Sequence, residues 1–273
     1  MHNKQKKIAV INDFCGFGRC SLSVSVPIIS AMKIQCCPVP TAIFSNHTGY
    51  DEFYSVDFTD YMQNYINMWK GLSLKFSGIL TGFLGSEKQI DIVKSFFEHF
   101  TDKNTLVIVD PVMGDDGKLY TGYPQNLAQK MRELVPYADI LTPNLTEACI
   151  LTDTNYAQDM TQTELEKICK TLCDMGPGKI VISGLSNGDS LGNFIFEKGK
   201  APKMHFEHRV GPCRAGTGDV FSSIIAADAV LQKDFEQSIV HASEFIAKCM
   251  RKTVELSLAS PDGICFEEFL KEL

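Results

Sequence analysis

The feature that most constrains this chain is an alternation of two patterns. Short apolar runs rich in Val and Ile recur between stretches of helical spacing, and polar turn formers close each run. Ile8-Ala-Val-Ile11 stops at Asn12-Asp-Phe-Cys-Gly-Phe-Gly18, and Val39 to Phe44 stops at Ser45-Asn-His-Thr-Gly49. Gly78-Ile-Leu-Thr-Gly82 leads into a loop, Thr105-Leu-Val-Ile-Val109 ends at Asp110-Pro111, Ile140-Leu-Thr142 at Pro143, and Lys179-Ile-Val-Ile-Ser183 at Gly184. Helical spacing fills Ser21 to Met32, Phe58 to Lys70, Glu87 to Phe100, Pro124 to Val135 and Thr163 to Met175. Two shorter strands, Asn193 to Phe196 and Met204 to Arg209, precede long helices over Val220 to Leu231 and Phe235 to Val254. Strands that are apolar throughout are buried on both faces. The pattern therefore predicts an α/β fold with a central, mostly parallel sheet and helices on both faces. No repeat, low-complexity tract or long linker interrupts it, so residues 1–273 are expected to form one domain.

Bulk properties narrow the function. The chain has 273 residues, 44% of them hydrophobic and 22% charged, which is enough to bury a core without metal or disulfide staples. Its formal charge of -7 lacks the concentrated positive charge that nucleic-acid binding requires. Lys4, Lys6 and Lys7 are the only basic cluster and read as a solvated leader before the first strand. The start MHNKQKK has no cleavage-type pattern, and no apolar run reaches membrane-spanning length. A cytoplasmic location is expected, with no membrane partner and with the ten cysteines as reduced thiols. Cysteine spacing shows no CxxC pair of the kind zinc sites favour.

Ligands of open α/β sheets bind beyond the carboxyl ends of the strands, so the residues that follow each strand carry the chemistry. They are Asn12 and Asp13; His47 and Thr48; Asp110 and Asp115; Thr142, Asn144 and Glu147; and Ser183. The most specific segment is Arg214-Ala-Gly216-Thr217-Gly218-Asp219, small residues opening a long apolar helix. Glycines let backbone approach a ligand, and the free N–H groups of a helix start attract an anion such as a phosphate. A carboxylate placed there as decoration would repel that anion. As a base it would take the proton of a hydroxyl attacking a phosphoryl group. A Gly-rich turn before a helix has the same appearance, so this segment alone leaves both readings open. The chain has no GxxxxGK[ST] sequence, and Gly16-Phe-Gly18 is only a fragment of a dinucleotide fingerprint.

Taken together, the motifs resemble a known family. Gly216-Thr-Gly-Asp219 resembles the anion-hole and base signature of ribokinase-like kinases. Within that superfamily, Phe44-Ser-Asn-His-Thr-Gly-Tyr50, Asp110-Pro-Val-Met-Gly-Asp115 and Thr142-Pro-Asn-Leu-Thr-Glu147 resemble the pyridoxal (vitamin B6) kinases. The matches run in order down to Asp262-Gly263 and Phe266-Glu-Glu-Phe-Leu270. The resemblance implies a ribokinase-like fold and ATP-dependent phosphorylation of the 5′-hydroxymethyl group of a B6 vitamer. Asp219 would be the general base, and the N–H groups of Gly216, Thr217 and Gly218 would hold the transferring phosphoryl group. Glu147 would act in the Mg²⁺ network, through water. Asp110, Asp115, Thr142, Asn144 and Ser183 would lie near the nucleotide phosphates, and His47 and Thr48 would face the substrate. The resemblance further implies a homodimer and a monovalent cation such as K⁺ near the anion hole.

The first loop departs from this pattern. Asn12 stands where many pyridoxal kinases carry Ser, and Asp13 with Gly16 and Gly18 looks more like hydroxymethylpyrimidine kinases. Asn12 or Asp13 would then bond a ring nitrogen or phenolic oxygen, with Phe14 or Phe17 stacked on the ring. Cys15 and Cys20 would either approach an aldehyde or pack as small hydrophobes. Phosphorylation of a pyrimidine, or binding of a vitamer without turnover, are the alternative functions.

Overall fold

The structure, a computed structural model, describes residues 4–273. The part of the N-terminal reading that rests on Met1, His2 and Asn3 lies outside the described residues. The first elements are β1 (Lys7–Phe17), α1 (Leu22–Ala31), β2 (Gln35–Asn46), β3 (Ser55–Asp57), α2 (Thr59–Gly71), β4 (Gly78–Thr81) and α3 (Glu87–Phe100). Next come β5 (Leu106–Val109), β6 (Gly114–Asp115), β7 (Lys118–Leu119), α4 (Gln125–Lys130), β8 (Ile140–Leu141), α5 (Leu145–Thr152) and α6 (Gln162–Met175). The chain ends with β9 (Lys179–Asn187), β10 (Ser190–Glu197), β11 (Lys203–His208), α7 (Thr217–Val230) and α8 (Phe235–Glu255). Two compact units result, one built from the described residues up to Leu106 with Val210–Leu273, the other from Val107–Arg209.

In the first unit β1 pairs in parallel with β2 and with β4, and β3 joins β2 antiparallel. Ile8, Ala9, Val10 and Ile11 are fully buried. Successive strand side chains point to opposite faces, so both faces of β1 are covered. α7 supplies cover because it is apolar nearly all round, with Val220, Ile224, Ile225, Ala226 and Ala227 fully buried. It comes close at Gly78, where a Cβ would lie 2.8 Å from Val230 Cγ2. Trp69 of α2, Phe76, and Phe96 and Phe100 of α3 form an aromatic layer with paired ring centroids 4.4 to 6.4 Å apart. Fully burying a Phe contributes about 1.5–3 kcal/mol.

Two expectations change here. β1 continues to Phe17 instead of stopping at Ile11, because residues beyond Asn12 go on pairing with β2 after a register shift between Asn12 and Phe14. Such bulges absorb turn-forming residues and re-aim side chains. The basic leader is not wholly solvated either: Lys7 is buried in β1, and Lys6 donates to the Val230 carbonyl at 2.6 Å.

In the second unit β5, β8 and β9 lie parallel, and β10 and β11 extend them antiparallel. β6 and β7 form a hairpin whose turn residues, Asp116 and Gly117, have φ of 47° and 75°. That is a primed turn, for which Asp-Gly is the favoured pair. The helix expected over Pro124 to Val135 is α4 followed by a 3₁₀ segment over Met131–Tyr137. α5 is too short to show hydrophobic spacing and is marked only by its cap, Asn144 with Glu147. Among the described residues no helix is long and apolar enough to cross a membrane.

Candidate active site

The first unit holds a carboxylate at a helix start. α7 begins after Gly216, whose φ is 82° and whose Cβ, if present, would fall on the Arg19 carbonyl oxygen. No side chain caps this helix, so its first N–H groups stay available to an anion. The Thr217 hydroxyl turns back to the Arg214 carbonyl at 3.1 Å, while Gly218 is exposed with open space where a side chain would be. Asp219 follows, partly exposed as a residue. Burial of its carboxyl pushes it up to about 6, with a contribution from Asp13, against hydrogen bonds from the Ser21 backbone and the Asn12 side chain. The Asn12 bond is 3.1 Å long. A carboxyl near 6 is ionised at neutral pH and basic enough for proton abstraction.

Asn12 and Asp13 are both buried at the bulge of β1. Asp13 accepts from the Ser21 hydroxyl at 2.6 Å and from the Cys15 thiol at 3.4 Å, and burial raises its carboxyl above the ordinary range. Ser21 sits at φ 57°, a strained conformation for a residue with a side chain. Its hydroxyl serves Asp13 and leaves α1 uncapped. Nothing in the sequence marks Ser21, because its role depends on that local strain. Cys15 and Cys20 are buried. Phe14 and Phe17 are 44% and 60% exposed, and the Phe17 ring lies 5.8 Å from that of Tyr50.

The loop after β2 is tied to the C-terminal turn. Gly49 donates its N–H to His47 Nδ1 at 3.0 Å, so Nδ1 is an acceptor. Nε2 therefore carries the hydrogen and donates to the Pro261 carbonyl at 2.6 Å. Both ring nitrogens of His47 are engaged within the protein. Tyr50 donates to Asp262 at 2.9 Å, and burial together with that bond pushes the phenol up to about 12. Thr48 is exposed in the intervening turn. Arg19 bonds Glu267 at 2.5 Å and the Asp262 carbonyl at 3.2 Å. Gly18 gives this turn room, since a Cβ there would come within 2.8 Å of His47 Cδ2. Arg19 carries no sequence signal, because both its partners lie near the far end of the chain.

The second unit gathers acidic and hydroxyl groups. Asp110 follows β5 and Thr142 follows β8, both buried. Asn144 and Glu147 cap α5 reciprocally: each backbone N–H donates to the other's side chain at 2.9 Å. Glu147 also accepts from Met113 N at 3.1 Å, and Asn144 Nδ2 donates to the Gly114 carbonyl at 2.7 Å. Burial raises the Glu147 carboxyl well above its usual range, and the charge of Asp110 raises it further. The Thr142 hydroxyl is buried without a protein partner. Asp115, on the exposed hairpin, accepts from Asp116 N at 2.9 Å. Ser183 is bridged in parallel to Asn144, and with Asp115, Thr146 and Tyr156 it lines a small pocket.

These donors fit a hydrated Mg²⁺, which uses one or two carboxylates together with water and phosphate oxygens. Two buried carboxylates that repel each other, with an unpartnered hydroxyl in the same unit, are what such an ion would relieve. Among the described residues no group of three or more His, Cys, Asp or Glu forms an all-protein metal cage.

The comparisons with known proteins agree with this chemistry. The family model described as phosphomethylpyrimidine kinase matches residues 26–260. A pyridoxal kinase of Bos taurus is 31% identical over 222 residues, covering 73% of this chain and 69% of the bovine protein. A pyridoxal kinase of Arabidopsis thaliana is 32% identical over 200 residues, which is 69% of this chain, and the chain spans 62% of that relative. A solved structure of a candidate phosphomethylpyrimidine kinase from Bacteroides thetaiotaomicron, in a crystal form with pyridoxal, is 36% identical. It has a TM-score of 0.95 over 98% of this chain and 96% of its own. The chain belongs to the phosphomethylpyrimidine kinase family and, within it, to the pyridoxal kinases, with their ribokinase-like α/β fold.

Proposed function

We propose that this chain transfers the γ-phosphoryl group of ATP to the 5′-hydroxymethyl group of a vitamin B6 vitamer: pyridoxal, pyridoxine or pyridoxamine. The observation that carries the reading is Asp219, a carboxyl raised to about 6 beside an uncapped helix start. Asp219 takes the proton of the hydroxymethyl group as its oxygen attacks. The N–H groups of Gly216, Thr217 and Gly218 receive the transferring phosphoryl group, preorganised to stabilise its charge.

Asp110, Asp115, Thr142, Asn144 and Ser183 face the nucleotide phosphates. Glu147, with Asp110, would hold hydrated Mg²⁺, which would supply neutralising charge to the phosphate oxygens. A monovalent cation such as K⁺ belongs near the anion hole by family resemblance. Asn12, Asp13 and Thr48 line the substrate end, where exposed Phe14 and Phe17 offer faces for a flat ring. With both nitrogens engaged, His47 shapes the loop that presents Thr48 and Tyr50.

The names of the relatives and the crystal form with pyridoxal favour a B6 vitamer. Hydroxymethylpyrimidine is the second reading, favoured by the Asp13, Gly16 and Gly18 loop and by the description of the family model. A binder without turnover is disfavoured, because it has no use for a desolvated base.

A coupled ADP-release assay with MgATP against the three vitamers and hydroxymethylpyrimidine tests this. Turnover on vitamers is expected, and turnover on the pyrimidine alone contradicts it.

A homodimer fits the apolar face of the β2–β3 edge, where Ile43, Phe53 and Tyr54 are 42%, 46% and 71% exposed. Light scattering that finds a monomer at every concentration would rule this out. A cytoplasmic location fits the ten free thiols. Fractionation that recovers the protein with oxidised cysteines would oppose it.

A further inference from the structure

The geometry points to Asn12 as the positioning residue for the base: its side-chain amide holds the Asp219 carboxylate in one orientation, and its carbonyl oxygen is not available to read the vitamer ring. This rests on Asp219 being the general base.

A side-chain amide has one acceptor oxygen with two lone pairs and one NH₂ with two donors. Asn12 Oδ1 accepts from Asp13 N at 2.9 Å and from Phe83 N at 2.8 Å. These two N–H groups belong to β1 and to the segment just after β4, so the oxygen is anchored from two sides. Turning the amide over would set its NH₂ against two backbone donors. The oxygen end is therefore fixed, and the NH₂ end must point to Asp219 Oδ1, 3.1 Å away.

Gly82 keeps the slot open. A Cβ there would lie 2.5 Å from Asn12 Nδ2 and 2.6 Å from Oδ1. Asn12 is 4% exposed, so water does not compete for the bond. A residue that bonds a ring nitrogen or phenol through its carbonyl needs a free lone pair, and none remains. One amide hydrogen is left to face a ligand oxygen, which does not alter the orientation of the base.

The other groups acting on the Asp219 carboxyl are its own backbone N–H, the Ser21 backbone N–H and Asp13. Asp13 on β1 opposes its ionisation by like charge, and the Ser21 backbone N–H before α1 favours it. His47, from the loop after β2, acts on Asp13 in turn. Asn12 is the side-chain donor in this set.

Two variants test the assignment in the full-length protein. Asn12→Asp keeps the anchoring oxygen for Asp13 N and Phe83 N but replaces the donor with a second carboxylate oxygen. Asn12→Ala removes both. The first readout is the titration of the Asp219 carboxyl by ¹³C NMR without substrate, and the second is kcat and KM for the vitamer against pH. Loss of the donor is expected to move the Asp219 midpoint alkaline by about one pH unit or more. The acid limb of kcat moves with it, which costs only about twofold at pH 7 for a shift of about one pH unit; misorientation of the base brings the total fall in kcat to at least about tenfold, while KM for the vitamer changes by less than about threefold. If Asn12→Ala fails to fold, Asn12→Asp is read by its kcat-against-KM split alone, because its added carboxylate raises the Asp219 midpoint by like charge in any case. An Asp219 midpoint and kcat like wild type, with a KM raised tenfold or more, would mean that Asn12 reads the ring and would overturn the assignment. The titration needs no turnover. A chain silent on every vitamer therefore still reports on Asn12, while the loss of the proposed function is seen separately in the wild-type assay.

Discussion

Asp219 is placed where burial works against its charge. Its carboxyl sits near 6 against an ordinary value of 3.8, so the folded protein holds the proton more tightly than the unfolded chain does. The stability linked to that proton is fully present below about pH 4 and is lost as pH rises through about 6. Asp219→Asn is therefore expected to raise stability at pH 7.5 by about 1–3 kcal/mol, seen as a higher melting temperature. The gap to wild type should close near pH 4, while turnover falls by at least about 100-fold. A variant less stable than wild type at pH 7.5 would contradict desolvation as the source of the shift. Asp219 and Gly216 stood out in the sequence as candidates because the proposed base and anion hole are near neighbours along the chain. The Asn12 partnership was not, since its two members are 207 positions apart and either alone looks like a turn residue.

The elements place the site through their ends. α5 and α6 both begin with reciprocal caps, Asn144 with Glu147 and Thr161 with Glu164. Thr161→Ala is expected to cost about 0.5–2 kcal/mol and leave kcat unchanged, because that exposed cap serves only its helix. Asn144→Ala should cost a similar amount and also lower kcat, because Asn144 holds the Gly114 carbonyl and orients Glu147. Urea melts and steady-state rates on the two variants check this, and equal effects on kcat would count against a functional role for the α5 cap. Strand and helix order followed from hydrophobic spacing. The extension of β1 did not, because a bulge carries turn formers through a strand. The β6–β7 hairpin went unread: Asp116-Gly117 is the pair its turn favours, but two-residue strands carry no pattern of their own.

Over the whole molecule, parallel strands that alternate with helices were legible because burial on both faces leaves a plain apolar signature. The chemistry was legible because polar residues follow one strand after another, and that recurrence is improbable as turn chemistry alone. Choosing the ring is harder: the loop after β2 and the first loop point to different heteroaromatic alcohols, and both loops are shaped by contacts that the sequence does not reveal. In the proposed reaction Asp219 drives phosphorylation of a B6 vitamer at its hydroxymethyl oxygen. The most direct measurement is ³¹P NMR of the products formed from MgATP and pyridoxal, with wild type and Asp219→Asn in parallel. Wild type should yield ADP and a vitamer 5′-phosphate, and the variant neither. A 5′-phosphate formed equally well by Asp219→Asn would exclude Asp219 as the base, and no vitamer phosphate while a hydroxymethylpyrimidine is phosphorylated would exclude the vitamer as substrate.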